Sequence, residues 1–473
     1  MSMNSEPTPA EAFFLEGNRL LAASECRAAE ACFREALALA PDFAEAHANL
    51  GMLLDQEGMA AEAERQYRLA LALNPRLGHT HSNLGVLLAN QKRFEEAESA
   101  YLSAIELEPD SPAAWSNLGV LQACRKQERE AEESYRTALR LDPDYHRASF
   151  NLSYLLLRQG RFDEGWSLLE SRNRRWFARL EEHLPCPRWR GEDLQGRSLL
   201  IGLEAGHGDM IQFCRYAPLL KDRGAARITL VCHVALKDLL KTLDGVDTVI
   251  SFDEILPDDV WDFWTPAMSI PCYCRTRLDS IPARIPYLHA DPGLAEQWAA
   301  LLEREWAGPE MRIGLAWKGN PHFENDGDRS LPHLKTLEPL GAVAGVRFFS
   351  LQKGAGEEEA AQPPAGLPVV DLMRHIAGFA DTAALVANLD LVITVDTAVA
   401  HLAGALGTEC WVLLPEYRTD WRWLTGRTDS PWYPGVMRLF RQPRVGDWET
   451  VVAEVGEALR LFAARPRSPR GTR

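Results

Sequence analysis

Two patterns of apolar and polar positions divide the chain. In the first third, small, aromatic and proline positions recur every 34 residues. Pro41, Pro75, Pro109 and Pro143 mark the period, and Gly17, Gly51, Gly85 and Gly119 hold the same register. Between them lie Ala29, Ala63, Ala97 and Ala131, then Phe33, Tyr67, Tyr101 and Tyr135, then Ala36, Ala70, Ala104 and Ala138. This spacing predicts helix–turn–helix units in which each glycine lets one helix approach the next. In the last two-thirds, short apolar runs alternate with amphipathic stretches. SLLIGLE, RITLVCH and DTVISF are expected strands, followed by MRIGLAW, VRFFSLQ, LPVVDL, LDLVITV and CWVLLP. MIQFCRYAPLLKDRG, PGLAEQWAALLEREWAG and WETVVAEVGEALRLFAA are expected helices. The alternation predicts βαβ units and parallel sheets.

The 34-residue register resembles the tetratricopeptide repeat, whose helix pairs stack into a superhelix. A fifth unit from Arg147 has Ser153 in place of the glycine and lacks the closing proline, which suits a capping repeat. Asn49, Asn83, Asn117 and Asn151 also keep the period, on the first helix of each unit, where such arrays line their groove. An amide donates and accepts, so a row of them suits the backbone of an extended acceptor peptide. A similar asparagine ladder is known from the repeats of the eukaryotic O-linked N-acetylglucosamine transferases. The alternative is that these amides bond neighbouring helices and stiffen the stack.

The remaining pattern divides the chain into a repeat array at 9–172, a connector at 173–196, two α/β halves at 197–307 and 308–446, a closing helix at 447–463 and a basic, disordered tail at 464–473. Two Rossmann-like halves leave a cleft at the carboxyl ends of their strands, where ligands bind in such folds. At that cleft VITVDTAVAHLAGALG runs from a strand into a helix of small residues. Thr397, Ala398 and Val399 would offer backbone N–H groups there, backed by the helix dipole, a ready site for a diphosphate. Asp396 is expected to cap the helix.

Charge and cysteines narrow the setting. A net charge of −16 argues against a nucleic-acid or membrane-surface binder, and no apolar run is long enough to span a bilayer. Nine cysteines, with no CxxC pair, read as reduced thiols, so a cytoplasmic location is expected.

The strings FADTAALVANLDLVITVDTAVAHLAGALG, GLEAGHGD and GLAWKGNPHFENDGDRSLP together resemble the heptosyltransferase-like glycosyltransferases of family 9, particularly bacterial members fused to tetratricopeptide repeats. The resemblance spans roughly residues 197 to 463. It implies an α-solenoid followed by an α/β unit of the GT-B type, two doubly wound domains facing a cleft. It also implies that Asp396, Thr397 and His401 belong to the donor's diphosphate site, that Arg329 contacts phosphate, and that Asp209, in the Gly206–Gly208 turn, is the catalytic base. His207 stands where such turns usually carry a small or aliphatic residue.

An inverting transfer needs a base for the acceptor hydroxyl and stabilisation of the departing diphosphate. Asp209 would be that base or would simply cap the following helix. Lys318 would reach the leaving group or remain a solvated loop cation, and His401 would bond phosphate or fill the helix interior. Gln352 is placed near the nucleotide. Trp421, Arg422, Trp423 and Trp432 would wall the donor pocket or pack in a core. Asp326–Gly327–Asp328 is a D-x-D, yet helix amides and cations take the metal's role in two-Rossmann enzymes, so no metal and no cofactor is expected.

The expected function is transfer of a sugar from a nucleotide sugar to a protein recruited by the array. The alternatives are a saccharide or lipid-linked acceptor, or a non-catalytic adaptor with a relic transferase fold. A homodimer is a further possibility, since repeat arrays can pair through their convex faces.

Overall fold

The computed structural model describes residues 7–465, apart from Leu203, Ala205, 257–260 and Glu324. The basic tail from Pro466 onward lies outside the described residues. The chain forms two compact units, one ending at Leu155 and one beginning at Leu156.

The first unit is built of helix pairs: Pro9–Ala22 with Cys26–Leu39, Ala44–Gln56 with Ala60–Leu73, Gly78–Asn90 with Phe94–Leu107, and Pro112–Cys124 with Glu128–Leu141. The reason for the glycine–aromatic register is steric. A Cβ at Gly17 would lie 2.6 Å from the Phe33 ring, and one at Gly85 would lie 2.5 Å from Tyr101. Gly51 and Gly119 meet Tyr67 and Tyr135 in the same way. The closing prolines have a second use. The carbonyls of Pro41, Pro75 and Pro109 accept from the rings of His47, His81 and Trp115 at 2.9, 3.0 and 2.9 Å. These rings hold each turn against the first helix of its unit. The fifth unit drops both devices: Ser149 replaces the ring, and Ser153 is buried with its hydroxyl on the Phe150 carbonyl.

The second unit holds two parallel sheets. β1 (Ser198–Ile201), β2 (Arg227–Cys232), β3 (Thr248–Ser251) and β4 (Phe263–Thr265) are ordered β3-β2-β1-β4. β5 (Met311–Ala316), β6 (Val346–Ser350), β7 (Val369–Val370), β8 (Leu391–Val395), β9 (Cys410–Leu414) and β10 (Met437–Arg441) are ordered β10-β9-β8-β5-β6-β7. β5, β8 and β9 are buried along their whole length, as strands covered by helices on both faces should be. Helix Trp448–Ala463 closes one face with Val451, Val455, Leu459 and Phe462 in the core. Strand order reverses between β1 and β4 and between β5 and β8. The segments after β1, β5 and β8 therefore stand at switch points, where such sheets open a crevice.

Five features depart from the sequence expectation. β4, of only three residues, and β10, in the aromatic stretch read as pocket wall or core, are not expected as strands. The helix expected after the glycine turn is two, His207–Phe213 and Tyr216–Asp222, separated at Cys214 and Arg215. The connector contains helix Arg174–His183. Helix Phe162–Leu169, assigned by register to the last repeat, falls in the second unit, where Trp166 donates to the Thr276 carbonyl at 2.9 Å and meets Trp421 edge-on.

Candidate functional site

The glycine turn follows β1 because only glycine fits its start. Gly202 has φ +136°, and a Cβ there would lie 2.2 Å from the Val231 carbonyl oxygen. The turn ends at Gly206, the N-cap of helix His207–Phe213. Asp209 accepts the Gly206 N–H through Oδ2 at 3.0 Å, so it does cap this helix. Its Oδ1 accepts from the Arg422 guanidinium, which comes from the other half of the unit. Gly208 packs against the start of helix Ala398–Leu406. A Cβ on it would lie 3.0 Å from the His401 ring and 3.5 Å from Ala398 Cα. The two sequence-predicted loops thus meet.

β8 delivers Asp396 and Thr397 to that helix start. Thr397, rather than Asp396, is the N-cap: its Oγ1 accepts the Val399 N–H at 3.2 Å. Of the three amides expected to be open, Val399 is therefore spent. The N–H groups of Thr397 and Ala398 have no acceptor among the described residues. Asp396 is half-buried. Burial and the neighbouring Asp420 raise its carboxyl above the ordinary range, against the pull of Arg329 and Arg422.

His401 is buried, with Nδ1 2.9 Å from the Tyr433 hydroxyl and its ring stacked on Trp423. Burial, reinforced by Arg422 and Arg215, pushes its pKa well below the usual imidazole value, so the ring is neutral. Part of the small-residue pattern belongs to packing, since a Cβ at Gly404 would meet the Tyr433 ring at 2.4 Å.

Arg329 bonds Asp326 at 3.1 Å and lies over the Phe323 ring. Asp326 also accepts from Ser330, which leaves the D-x-D carboxylate engaged within its own loop. Lys318 pairs with Glu359 at 2.8 Å. Gln352 does not turn to the cleft. It is 2% exposed; its Oε1 accepts from Trp317 and Lys318 N–H, and its Nε2 donates to the Lys318 and Ala355 carbonyls. With every position of its amide used to brace the ends of β5 and β6, none is left for a nucleotide. Trp421, Trp423 and Trp432 are core residues.

Two arginines gain importance only in the fold. Arg422 also donates to both Asp420 oxygens at 3.0 Å and to Gln212 Oε1 at 2.6 Å. Arg215 is buried between the Tyr287 and Tyr433 rings and donates to the Trp432 carbonyl, clamping the halves together. The D-W-R triplet at Asp420–Arg422 is the one local signal of the first; a helix break at Cys214–Arg215 carries no signal of the second.

In the first unit, the first helices of successive repeats touch one another, and each carries one ladder asparagine. Asn49 donates to Asn18 at 2.7 Å and so bonds a neighbouring helix. Asn83, Asn117 and Asn151 are half-buried, and no partner for their amides is found among the described residues. No helix among the described residues is long and apolar enough to cross a membrane.

Comparison with known proteins adds the following. Tetratricopeptide-repeat family models match residues 14–77 and 129–170, and a second such model matches 79–111 and 112–145. The glycosyltransferase family 9 (heptosyltransferase) model matches residues 341–411, which include Asp396 to His401 but neither Asp209 nor Arg329. Protein FlbA of Caulobacter vibrioides is 30% identical over 345 residues, 67% of this chain and 55% of FlbA, so the chain spans about half the length of that relative. Among solved structures, PilF of Pseudomonas aeruginosa is 23% identical, covering 46% of this chain and 86% of that one at a TM-score of 0.35. A MamA fragment from Desulfovibrio magneticus RS-1 is 18% identical, covering 38% and 96% at 0.31. At these scores the structural likenesses carry no argument. The repeat register, the paired parallel sheets and the family matches together show that this chain joins tetratricopeptide repeats to a glycosyltransferase family 9 (heptosyltransferase) domain.

Proposed function

We propose that the α/β unit transfers a sugar from a nucleotide sugar to a protein acceptor held by the repeat array, with inversion and without a metal. The observation that carries this reading is the contact of the Gly208–Asp209 turn with the Ala398 helix start, which sets a carboxylate beside two open amides. The acceptor oxygen attacks the anomeric carbon, the bond from that carbon to the diphosphate oxygen breaks, and the hydroxyl proton passes to Asp209. The charge left on the nucleoside diphosphate meets the Thr397 and Ala398 N–H groups and the helix dipole, with Arg329 and Lys318 as flanking cations. The three amides at Asn83, Asn117 and Asn151, which have no partner among the described residues, support an extended peptide as acceptor.

Isothermal titration against UDP, GDP, ADP and CMP forms of nucleotides and nucleotide sugars tests the donor site. Binding of one base class to the native protein, weakened at least tenfold in a Lys318→Ala, Arg329→Ala double variant, is expected. A folded protein that binds none of them returns the function to a repeat-based adaptor. For the acceptor, a triple Asn83→Ala, Asn117→Ala, Asn151→Ala variant is expected to lose modification of a peptide substrate while donor turnover by water persists. Unchanged peptide modification would move the acceptor to the saccharide or lipid-linked class.

A further inference from the structure

The candidate base and the cation that faces it come from opposite halves of the α/β unit. Arg422 lies beyond β9, with its side chain 7% exposed and its guanidinium packed over the Trp421 ring at 4.6 Å. From there it reaches back across the cleft to Asp209 and Gln212, while donating to both oxygens of Asp420. One guanidinium therefore answers two carboxylates, and its charge is also felt at Asp396 and His401 on the Ala398 helix start. Next to it stand donors with nothing to donate to. Among the described residues, the Gln212 Nε2 is buried without an acceptor, its Oε1 being taken by Arg422, and the Thr397 and Ala398 N–H groups have none either. A planar guanidinium binds a phosphate through two parallel hydrogen bonds at least as well as a carboxylate.

Resting on the donor-site reading above, we propose that Arg422 changes partner during the reaction: in the arrangement described it ties down Asp209, and a diphosphate docked at Thr397 and Ala398 draws the guanidinium away and leaves Asp209 to take the acceptor proton. The base is then released only when the leaving group is in place. Diphosphate and Asp209 compete for one cation, and that competition has a signature which a merely structural arginine lacks: removing the carboxylate tightens diphosphate binding only while Arg422 is present.

The test is isothermal titration of the full chain with inorganic pyrophosphate and with UDP, GDP, ADP and CDP. Asp209→Asn keeps the shape and the Gly206 cap acceptor but loses the charge. It is expected to bind diphosphate about tenfold more tightly than the native protein. Arg422→Ala is expected to bind about tenfold more weakly, and the double variant as weakly as Arg422→Ala. If Arg422→Ala does not fold, Arg422→Gln with and without Asp209→Asn makes the same comparison; tightening by Asp209→Asn that persists without the Arg422 guanidinium overturns the exchange. Unchanged or weaker binding by Asp209→Asn overturns the exchange and leaves the donor site standing. Absence of diphosphate binding in the native protein and in Asp209→Asn alike overturns both.

Discussion

Asp396 and His401 share one helix start, and burial moves them in opposite directions. His401 is held neutral, so the unfolded chain takes up its proton more readily than the folded one. Stability on its account is lost as pH falls through the ordinary imidazole range. Asp396 is raised, so the folded chain keeps its proton longer, and stability on its account is lost as pH rises past the ordinary carboxylate range. His401→Gln is therefore expected to flatten the fall in melting temperature between about pH 7 and pH 5, read by scanning calorimetry. Asp396→Asn is expected to raise the melting temperature near pH 7.5, by an amount on the order of 1 kcal/mol in stability, and to leave it unchanged near pH 4. The same sign at both pH values in the Asp396→Asn series would refute the assignment. Gln352 shows the other side of residue-scale reading: at a strand end near the cleft, its type and position suggested a ligand contact, and four internal hydrogen bonds consumed it.

At the scale of the element, the array repeats one steric solution. Each glycine exists because an aromatic ring of the paired helix fills the space its Cβ would take. Gly85→Ala is expected to destabilise the array by about 1–3 kcal/mol, the usual cost of overpacking. Tyr101→Leu in the same chain should return part of that loss, since a smaller side chain gives the methyl room. The fifth unit carries this exchange already, with Ser153 and Leu169 at the glycine and aromatic positions of the register. Urea unfolding of the two single variants and the double variant measures the coupling; strictly additive losses would rule out the contact as the reason for the glycine. The helix after β8 obeys two demands at once. Its small residues let the Gly208 turn approach, and at Gly404 they make room for Tyr433.

At the scale of the molecule, the helix Phe162–Leu169 and Arg172 belong to the α/β unit. Trp166 is buried on Trp421, and Arg172 holds Glu204 of the glycine turn with bonds of 2.6 and 2.9 Å, both side chains nearly inaccessible. A chain beginning at Leu156 is expected to fold and to bind the donor nucleotide as the full protein does. One beginning at Asn173 loses the Trp166 packing, worth about 3–5 kcal/mol. It also leaves Glu204 buried without its cation, at a similar cost. Thermal unfolding and nucleotide binding of the two truncations check this; equal stability would refute it.

What the sequence determined by itself is local or periodic. The repeat register, the strands from β1 to β9 other than β4, and the presence of a small-residue helix directly after β8 all follow from residues within one period or one turn of each other, where backbone sterics and apolar spacing act directly; its cap, Thr397 rather than Asp396, did not. β4 and β10 escaped because three residues, or five within an aromatic stretch, carry too little pattern. What only the tertiary structure decided is partnership. Arg422 meets Asp209 across 213 positions of chain and Gln212 across 210. Arg215 meets Trp432 across 217. Which cation faces which carboxylate, and which amide is spent or open, depends on how two sheets and their loops close on one another. Coulomb attraction and hydrogen bonding act through space over a few ångströms, and no spacing along the chain records that distance.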